Sequence, residues 1–264
     1  MQLKSCRGLA ALVTGASSGI GRVLALRLAK EGARVALVAR REAELETVAE
    51  EIRAQSGEAI VLPCDVADPN QVVETVDRAL EAFGEIDILI NNAGYGGQRN
   101  FLDWDLEDME RMMRVNYFGA LNFTKLLVPQ MAARKSGWLV FISSVSGRIA
   151  SPEKSAYAAS KFALTGFAEG LSLDLEAANT GVHVLTVYPG VVRTPFFTAQ
   201  MLKDMPEKTR NSMAEPEGLV EAIMGALAKG NRELTYPSGL AAGYVVRALA
   251  PGFLRKQVQR VTKK

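Results

Sequence analysis

The feature that most constrains this fold is the regular alternation of short, β-branched apolar runs with longer stretches of helical periodicity. The apolar runs predict strands at Leu9–Thr14, Arg34–Ala39, Ala59–Pro63, Ile86–Ile90, Trp138–Ile142, Val182–Tyr188 and Glu233–Tyr236. The helical patterns include Gly19–Glu31, Glu42–Gln55, Asn70–Phe83, Leu106–Ala132 and Ala156–Ala177. Strands without a polar face suit a parallel sheet that helices cover on both sides. We therefore predict an α/β chain with a doubly wound parallel sheet of about seven strands and helices on both faces.

The sequence predicts a single domain over residues 1–264, because no internal repeat, low-complexity tract or linker divides it. The least regular stretch is 191–215, which contains Pro195 and Pro206. We expect this stretch to be a mobile excursion from the sheet that acts as a substrate loop or lid. Residues 238–264 form a C-terminal extension after the last predicted strand.

Composition narrows the function classes. A net charge of +2 without a basic, aromatic-rich stripe argues against nucleic-acid binding. The N-terminus lacks signal-peptide features and no run of 18 apolar residues occurs, so we expect a cytoplasmic protein. Cys6 and Cys64 have neither disulfide nor metal spacing, and we expect both to be buried. His183, the only histidine, lies in a buried strand pattern where packing is favoured over catalysis, and we expect no metal.

A glycine-rich turn follows the first predicted strand and leads directly into a helix. Its spacing is Gly15-x-x-x-Gly19-x-Gly21. Glycines allow a tight turn and close backbone approach, while the helix N-terminus presents N–H groups to a pyrophosphate. In this strand–turn–helix context the loop predicts dinucleotide binding rather than an ordinary turn.

The second predicted strand ends in Arg40-Arg41, where an NAD enzyme usually has a carboxylate for the ribose 2′-hydroxyl. An arginine fork instead matches a phosphate. We therefore predict NADP(H) in preference to NAD(H), with Arg40 as the main contact and added hydroxyl donors from Ser17 and Ser18. The turn has no lysine or arginine before Gly19, so NAD(H) remains possible, and both arginines being merely solvated is the alternative.

Polar and glycine residues also follow the third to sixth predicted strands. They are Asp65-Val66, Asn91-Asn92-Ala93-Gly94, Ser143-Ser144 and Pro189 to Thr194. In an open parallel sheet, ligands bind outside the carboxyl ends of the strands, so these loops should share one cleft. We expect Asp65 to bond the adenine amino group.

Tyr157 and Lys161 lie four residues apart in a predicted helix and therefore on the same face. A cation at roughly 4 Å with an effective dielectric of about 20 favours the phenolate by on the order of 4 kcal/mol, about three pKa units. This would bring the pKa of Tyr157 near neutrality, where a general acid or base works best. Ser144, thirteen residues before the tyrosine, would hold the substrate oxygen. Taken alone, the Tyr–Lys spacing also arises by chance.

In combination these residues resemble the short-chain dehydrogenase/reductase family, in its single-domain, NADP-preferring branch with a Rossmann-like fold. The matching pieces are Thr14 to Gly21, Asp65, Asn91 to Gly94, Asn116, Ser144, Tyr157, Lys161 and Pro189 to Thr194. The resemblance spans about three quarters of the chain, from the first strand to the sixth.

The resemblance implies four catalytic residues. Tyr157 would donate or accept the proton, Lys161 would lower its pKa, Ser144 would polarise the carbonyl, and Asn116 would anchor a water behind Lys161. It also implies that Lys161 holds the nicotinamide ribose, Asn91 supports the adenosine side, and Thr194 with the Val192 backbone fixes the carboxamide. The complete set expected to bind the cofactor is Gly15, Ser17, Ser18, Gly19, Ile20, Gly21, Arg40, Arg41, Asp65, Val66, Asn91, Ala93, Gly94, Tyr157, Lys161, Pro189, Gly190, Val192 and Thr194.

The expected activity is an NADPH-dependent carbonyl reductase, or the reverse alcohol dehydrogenase. Apolar residues near the nicotinamide predict a lipophilic ketone, such as an acyl-chain, sphingoid-like or steroid-like carbonyl; a lid that merely covers core is the alternative. They are Phe196, Phe197, Met201, Leu202 and Met205, with Tyr95, Phe101, Leu102 and Trp104. A non-catalytic NADP-binding regulator is the second candidate. A sugar epimerase or dehydratase would need a further substrate domain, for which little chain remains.

Expected partners are the small ketone or alcohol and further copies of the chain. The resemblance implies a homodimer or homotetramer through the long helices Leu106–Ala132 and Ala156–Ala177. The C-terminal extension has apolar residues at helical spacing interleaved with basic ones, which allows contact with an anionic membrane surface. Packing on the same or a neighbouring subunit is favoured. These residues are Phe253, Leu254, Val258 and Val261, with Arg255, Lys256, Arg260, Lys263 and Lys264.

Overall fold

Seven strands form one parallel sheet in the computed structural model, which describes residues 2–262 with side chains through Gln259. The strands are β1 (Ala10–Thr14), β2 (Arg34–Ala39), β3 (Glu58–Pro63), β4 (Ile88–Asn91), β5 (Gly137–Ile142), β6 (Val182–Pro189) and β7 (Glu233–Tyr236). Their order across the sheet is β3-β2-β1-β4-β5-β6-β7. The chain therefore winds outward from β1 to β3, returns, and continues from β4 on the other side, as the predicted doubly wound fold requires.

Helices cover both faces of this sheet. They are α1 (Gly19–Lys30), α2 (Glu42–Ala54), α3 (Pro69–Phe83), α4 (Leu106–Met113), α5 (Gly119–Arg134), α6 (Ser155–Ala177), α7 (Ala199–Asp204), α8 (Glu207–Asn211), α9 (Pro216–Lys229), α10 (Ala242–Leu249) and α11 (Pro251–Thr262). Local chemistry sets their ends. At α3 the Asp68 carboxylate accepts the N–H of Asn70 at 2.9 Å, Pro69 occupies the first turn, and Gly84 ends the helix with φ 77°.

Each face of the sheet has its own apolar core. On one face α1, α2 and α9 pack against the strands through residues such as Leu28, Val48 and Ile223. On the other face α3, α5 and α6 contribute residues such as Val76 and Phe123. Burial on both faces explains why the strand sequences lack polar alternation.

The structure differs from the sequence prediction in the helices more than in the strands. The predicted helix Leu106–Ala132 is interrupted by a π-helical turn at Arg114–Phe118. The 191–215 stretch contains the short helices α7 and α8, and α9 follows it where no helix was predicted.

Several smaller predictions are confirmed. Cys6 and Cys64 are free and buried. His183 is buried in β6, where its Nε2 lies 2.9 Å from the Asn231 carbonyl and burial lowers its pKa. The C-terminal extension is helical as far as Thr262, whereas Lys263, Lys264 and the side chains of Arg260 and Val261 lie outside the described residues. Within residues 2–262, every helix is too short or too polar to span a bilayer.

We expect Asp87→Ala to destabilise the fold by about 1–3 kcal/mol, because it leaves a buried amide at the start of β1 unpaired. The Asp87 carboxylate is buried, accepts the Ala10 N–H at 2.9 Å and lies 3.4 Å from Arg134. Urea unfolding measures the effect. Glu85→Ala is the matched control, since Glu85 pairs with the same arginine at 3.3 Å but is exposed, and its loss should stay below about 1 kcal/mol. Equal losses in the two variants would contradict this account.

Candidate active site

A cleft of about 780 Å³ opens at the carboxyl ends of the strands, where the strand order reverses between β1 and β4. It gathers most of the residues that the sequence proposed. These are Gly15, Ser17, Ser18, Gly19, Ile20, Arg40, Arg41, Asp65, Val66, Ala93, Gly94, Ser144, Tyr157, Lys161, Pro189, Gly190, Val192 and Thr194. Gly21, Asn91 and Asn116 are not on its wall.

The glycine-rich turn fits a diphosphate because it lines the cleft and its backbone is tightly held. Gly15 and Gly19 have φ of 68° and 56°, in the left-handed region that favours glycine. A Cβ at Gly21 would lie 2.3 Å from the Gly15 carbonyl oxygen, so only glycine allows α1 to pack this closely against the turn. Ser18 starts α1 without capping it through its side chain, and no acid lies in the first turn. The first N–H groups of α1 are therefore suited to an anion.

The amide that holds this turn is Asn92, a residue that the sequence analysis passed over in favour of Asn91. Asn92 Nδ2 donates to the carbonyls of Thr14 at 2.9 Å and Gly15 at 3.3 Å. Asn91 lies on the other side of the chain, buried, with Nδ2 donating to Thr124 Oγ1 at 3.1 Å. The two asparagines face opposite ways because successive side chains of a strand alternate. The Asn91 side chain therefore does not line the cleft, and its support of the adenosine side stays a prediction.

Arg41 is placed closest to the turn. Its guanidinium donates to Ser17 Oγ at 3.0 Å and to Ser18 Oγ at 3.2 Å, and it pairs with Glu44 at 3.2 Å. Arg40, the expected main contact, is exposed on the cleft wall. The two serines and Arg41 together present hydroxyl and guanidinium donors beside the first turn of α1.

Tyr157 and Lys161 lie one turn apart on α6, as the spacing predicted. Lys161 Nζ donates to the Ile142 carbonyl at the end of β5 at 2.8 Å and lies 5.9 Å from the centre of the Tyr157 ring. Ser144, also buried, follows β5, and its Oγ accepts the Ser146 N–H at 3.0 Å. A phenol, a cation and a hydroxyl thus meet at the junction of β5 and α6.

The electrostatics of this pair differ from the expectation. Burial raises the pKa of Tyr157 to about 12, and the Ser144 hydroxyl opposes that rise. Burial also lowers the pKa of Lys161 to about 8. The predicted fall of the phenol pKa to near neutrality is wrong for this structure, because desolvation of Tyr157 and Lys161 outweighs the attraction between phenolate and cation.

Asn116 fastens the loop after β4 to α6. It lies in the π-helical turn, where Nδ2 donates to the Tyr95 carbonyl and to Ser160 Oγ, both at 2.9 Å, and Oδ1 accepts the Tyr95 N–H at 3.0 Å. Single π turns recur at functional sites. A Cβ at Gly94 would lie 3.1 Å from Asn116 Oδ1 and 3.4 Å from Lys161 Nζ, so this loop passes close above the cation. The water that Asn116 was expected to anchor stays a prediction.

The segment after Thr194 covers the catalytic end of the cleft. The Phe196 ring lies 5.7 Å from that of Tyr157, and a Cβ at Gly96 would lie 2.7 Å from Phe196. Of the nine apolar residues proposed for the substrate pocket, four line the cleft: Tyr95, Phe196, Phe197 and Met201. Phe101 and Leu102 are exposed, and Trp104 packs on Gly97, where a Cβ would lie 2.5 Å from the indole.

Comparisons with known proteins agree with this geometry. A family model described as short chain dehydrogenase matches residues 9–204. A dehydrogenase/reductase SDR family protein 7-like from Drosophila melanogaster is 36% identical over 92% of this chain and 77% of its own. A fatty acyl-CoA reductase from Acinetobacter baylyi is 36% identical over 94% of this chain and 82% of its own. A Burkholderia phymatum short-chain dehydrogenase/reductase solved in complex with NAD is 25% identical, with a TM-score of 0.87 over 95% of this chain and 96% of its own.

We expect Lys161 to make stability depend on pH between about pH 8 and 10. Its pKa falls from 10.5 to about 8 on folding, so in this window the unfolded chain binds more protons than the folded one. The free energy of unfolding should therefore rise with pH. At about 1.4 kcal/mol per tenfold change, the full difference is on the order of 3 kcal/mol.

Urea unfolding of the wild type and of Lys161→Met at a series of pH values measures this effect, since other titrating groups cancel in the difference. The wild type should gain stability relative to the variant as the pH rises through 8. A difference that stays constant across the window would show that Lys161 does not titrate there.

Proposed function

This chain belongs to the short-chain dehydrogenase family, and we propose that it is an NADPH-dependent carbonyl reductase that converts a lipophilic ketone to a secondary alcohol. Family membership makes it an oxidoreductase that acts on CH–OH or carbonyl groups with a nicotinamide cofactor. The observation that carries the proposal is the meeting of Ser144, Tyr157 and Lys161 at one end of the cleft that the glycine-rich turn borders.

The residues of the cleft fit a dinucleotide. Backbone N–H groups at the start of α1 would bind the diphosphate, and Arg41 with Ser17 and Ser18 would bind a 2′-phosphate. Asp65, on the cleft wall, would bond the adenine amino group. Thr194 approaches Gly19, where a Cβ would lie 3.1 Å from the threonine Cβ, and would hold the carboxamide. When bound, the nicotinamide supplies the hydride.

The chain's own residues handle the proton. With a pKa of about 12, Tyr157 is a neutral phenol at pH 7 and can donate its proton to the substrate oxygen. Lys161, with a pKa of about 8, is mostly charged at that pH and would stabilise the phenolate that remains. The Ser144 hydroxyl would donate to the same substrate oxygen and orient it. Phe196 covers the phenol and would limit access of water.

Three further observations support the substrate class, the assembly and the location that we propose. Phe196, Phe197 and Met201 give the substrate end an apolar wall, which supports a lipophilic ketone. A homodimer or homotetramer is supported by apolar side chains that are exposed along α5 and α6. They are Phe118, just before α5, Leu126 on α5 and Leu173 on α6. The two free cysteines are consistent with a reducing cytoplasm.

We expect Tyr157→Phe to reduce turnover by about 10²- to 10⁴-fold while NADPH still binds, because only the proton-donating hydroxyl is lost. NADPH oxidation at 340 nm against ketones of graded size and polarity measures turnover, with long apolar ketones expected to be best. Tyr117→Phe is the matched control, since Tyr117 contacts Phe118 and Phe167 and does not line the cleft. NADPH binding without turnover of any ketone would instead indicate a cofactor-binding regulator.

We expect Arg41→Ala to reduce kcat/KM for NADPH by about 10- to 100-fold and to change that for NADH by less than about threefold, because only NADPH carries the 2′-phosphate. Arg40→Ala, tested alongside, should have the smaller effect, since Arg41 is the arginine bonded to both serines. Equal losses with both cofactors, or a wild type that prefers NADH, would contradict the proposed NADPH dependence.

A further inference from the structure

The substrate end of the cleft contains a lysine to which none of the roles above applies. Lys154 immediately precedes α6, and its carbonyl accepts the N–H of Ala158 at 2.7 Å. Lys154 is the N-cap residue of α6, so its backbone lies within about one helical turn of Tyr157. Like Ser144, Tyr157 and Phe196, it lines the cleft.

The Lys154 ammonium is half-buried and makes no hydrogen bond or ion pair with the described residues. Its neighbour Glu153 adopts a left-handed backbone conformation, with φ 62°, is exposed, and bonds Gln98 Nε2 at 2.8 Å instead. Desolvation lowers the pKa of Lys154, against the opposing attraction of Glu153. A partly desolvated cation without a close anion is unfavourable, and an anionic ligand would relieve that cost.

The carboxylates on the cleft wall pair with arginines and not with Lys154. Within the described residues, the carboxylates that line the cleft are Asp65 and Asp108. Asp65 lies 3.4 Å from Arg111, and Asp108 lies 2.8 Å from Arg99. Neither carboxylate contacts Lys154, so neither neutralises it.

We propose that Lys154 is a specificity-determining residue that binds a carboxylate on the substrate, so that the preferred ketones are oxo acids with an apolar chain. The ammonium would hold the carboxylate while Tyr157 and Ser144 meet the carbonyl, and the chain would lie against Phe196 and Phe197. A lysine ammonium is a compact point charge with three donors, and one such charge can bind one carboxylate. This inference rests on the proposed function, because it names the substrate class of that site.

The test compares oxodecanoates that differ in the position of the carbonyl, each paired with its methyl ester. Calorimetry with the NADP⁺-saturated protein measures binding without turnover, and NADPH oxidation measures reduction separately. We expect the best acid to bind about tenfold more tightly than its ester in the wild type, as one charge-assisted contact would give. Lys154→Met should remove this preference, and Lys154→Arg should retain it. Lys229→Met is the matched control, because Lys229 is exposed at the end of α9.

Equal binding of every acid and its ester by the wild type would overturn the inference without any variant, so the test does not depend on the folding of Lys154→Met. Retention of the preference by a folded Lys154→Met protein would overturn it as well. If esters are reduced and acids gain nothing, the proposed reductase stands and the role of Lys154 falls. If acids bind in preference but neither acid nor ester is reduced, the binding role of Lys154 is supported and the reductase proposal fails.

Discussion

The active site depends on a close contact between the loops that follow β1 and β4, the neighbouring strands between which the strand order reverses. Thr14 Oγ1 accepts the N–H groups of Asn92 and Ala93, each at 3.0 Å, and Asn92 Nδ2 bonds back to the Thr14 carbonyl. A Cβ at Gly15 would lie 2.8 Å from Asn92 Nδ2, and one at Gly21 only 2.4 Å from it. Gly15 and Gly21 therefore have a structural role, since a side chain at either position would prevent the contact with Asn92. The hydrogen bonds fix the two loops to each other at the point where the strand order reverses, and the cleft opens beside them.

A second set of contacts ties the catalytic helix to the same edge of the sheet. Lys161 bonds the last residue of β5 through the Ile142 carbonyl, and Asn116 joins the loop after β4 to Ser160 on α6. The π-helical turn that presents Asn116 comes between α4 and α5. Thus the cation proposed to act on Tyr157 is also a structural link, and the position of the phenol follows from where β4 and β5 end.

The sequence predicted the sheet well because burial on both faces leaves a clear pattern. Arg34–Ala39 and Glu233–Tyr236 are strands with the predicted bounds, and the others differ by at most two residues at either end. The π-helical turn escaped prediction because the residues on both sides of it are helical and no local signal separates it from them. The α9 helix carried usable signals that were not applied, with Pro216 in its first turn and Gly230 at its end.

Within the site, the sequence located the cleft but not the direction of every side chain that follows a strand. The rule that ligands bind at the carboxyl ends of parallel strands identifies the loops but not the residues within them. Whether Asn91 or Asn92 contacts the glycine-rich turn depends on the direction of each side chain. For Asn91 the alternation along β4 was a sufficient signal, since Ile90 and Asn92 had to face the other way. For Arg40 and Arg41 no comparable rule exists, because both lie beyond the end of β2, and the bonds of Arg41 to Ser17 and Ser18 are visible only in the fold.

The protonation states of Tyr157 and Lys161 bear on the proposed proton transfer. Coulomb attraction to a cation favours the phenolate, but burial of both groups opposes charge on either of them. With pKa values of about 12 and about 8, the resting pair near pH 7 is a neutral phenol beside a mostly charged amine. That form is ready to protonate a carbonyl oxygen, and the phenolate so produced lies near an ammonium that is already in place. Burial, which the simple Coulomb argument left out, therefore leaves Tyr157 in the protonated form that the proposed carbonyl reduction would use.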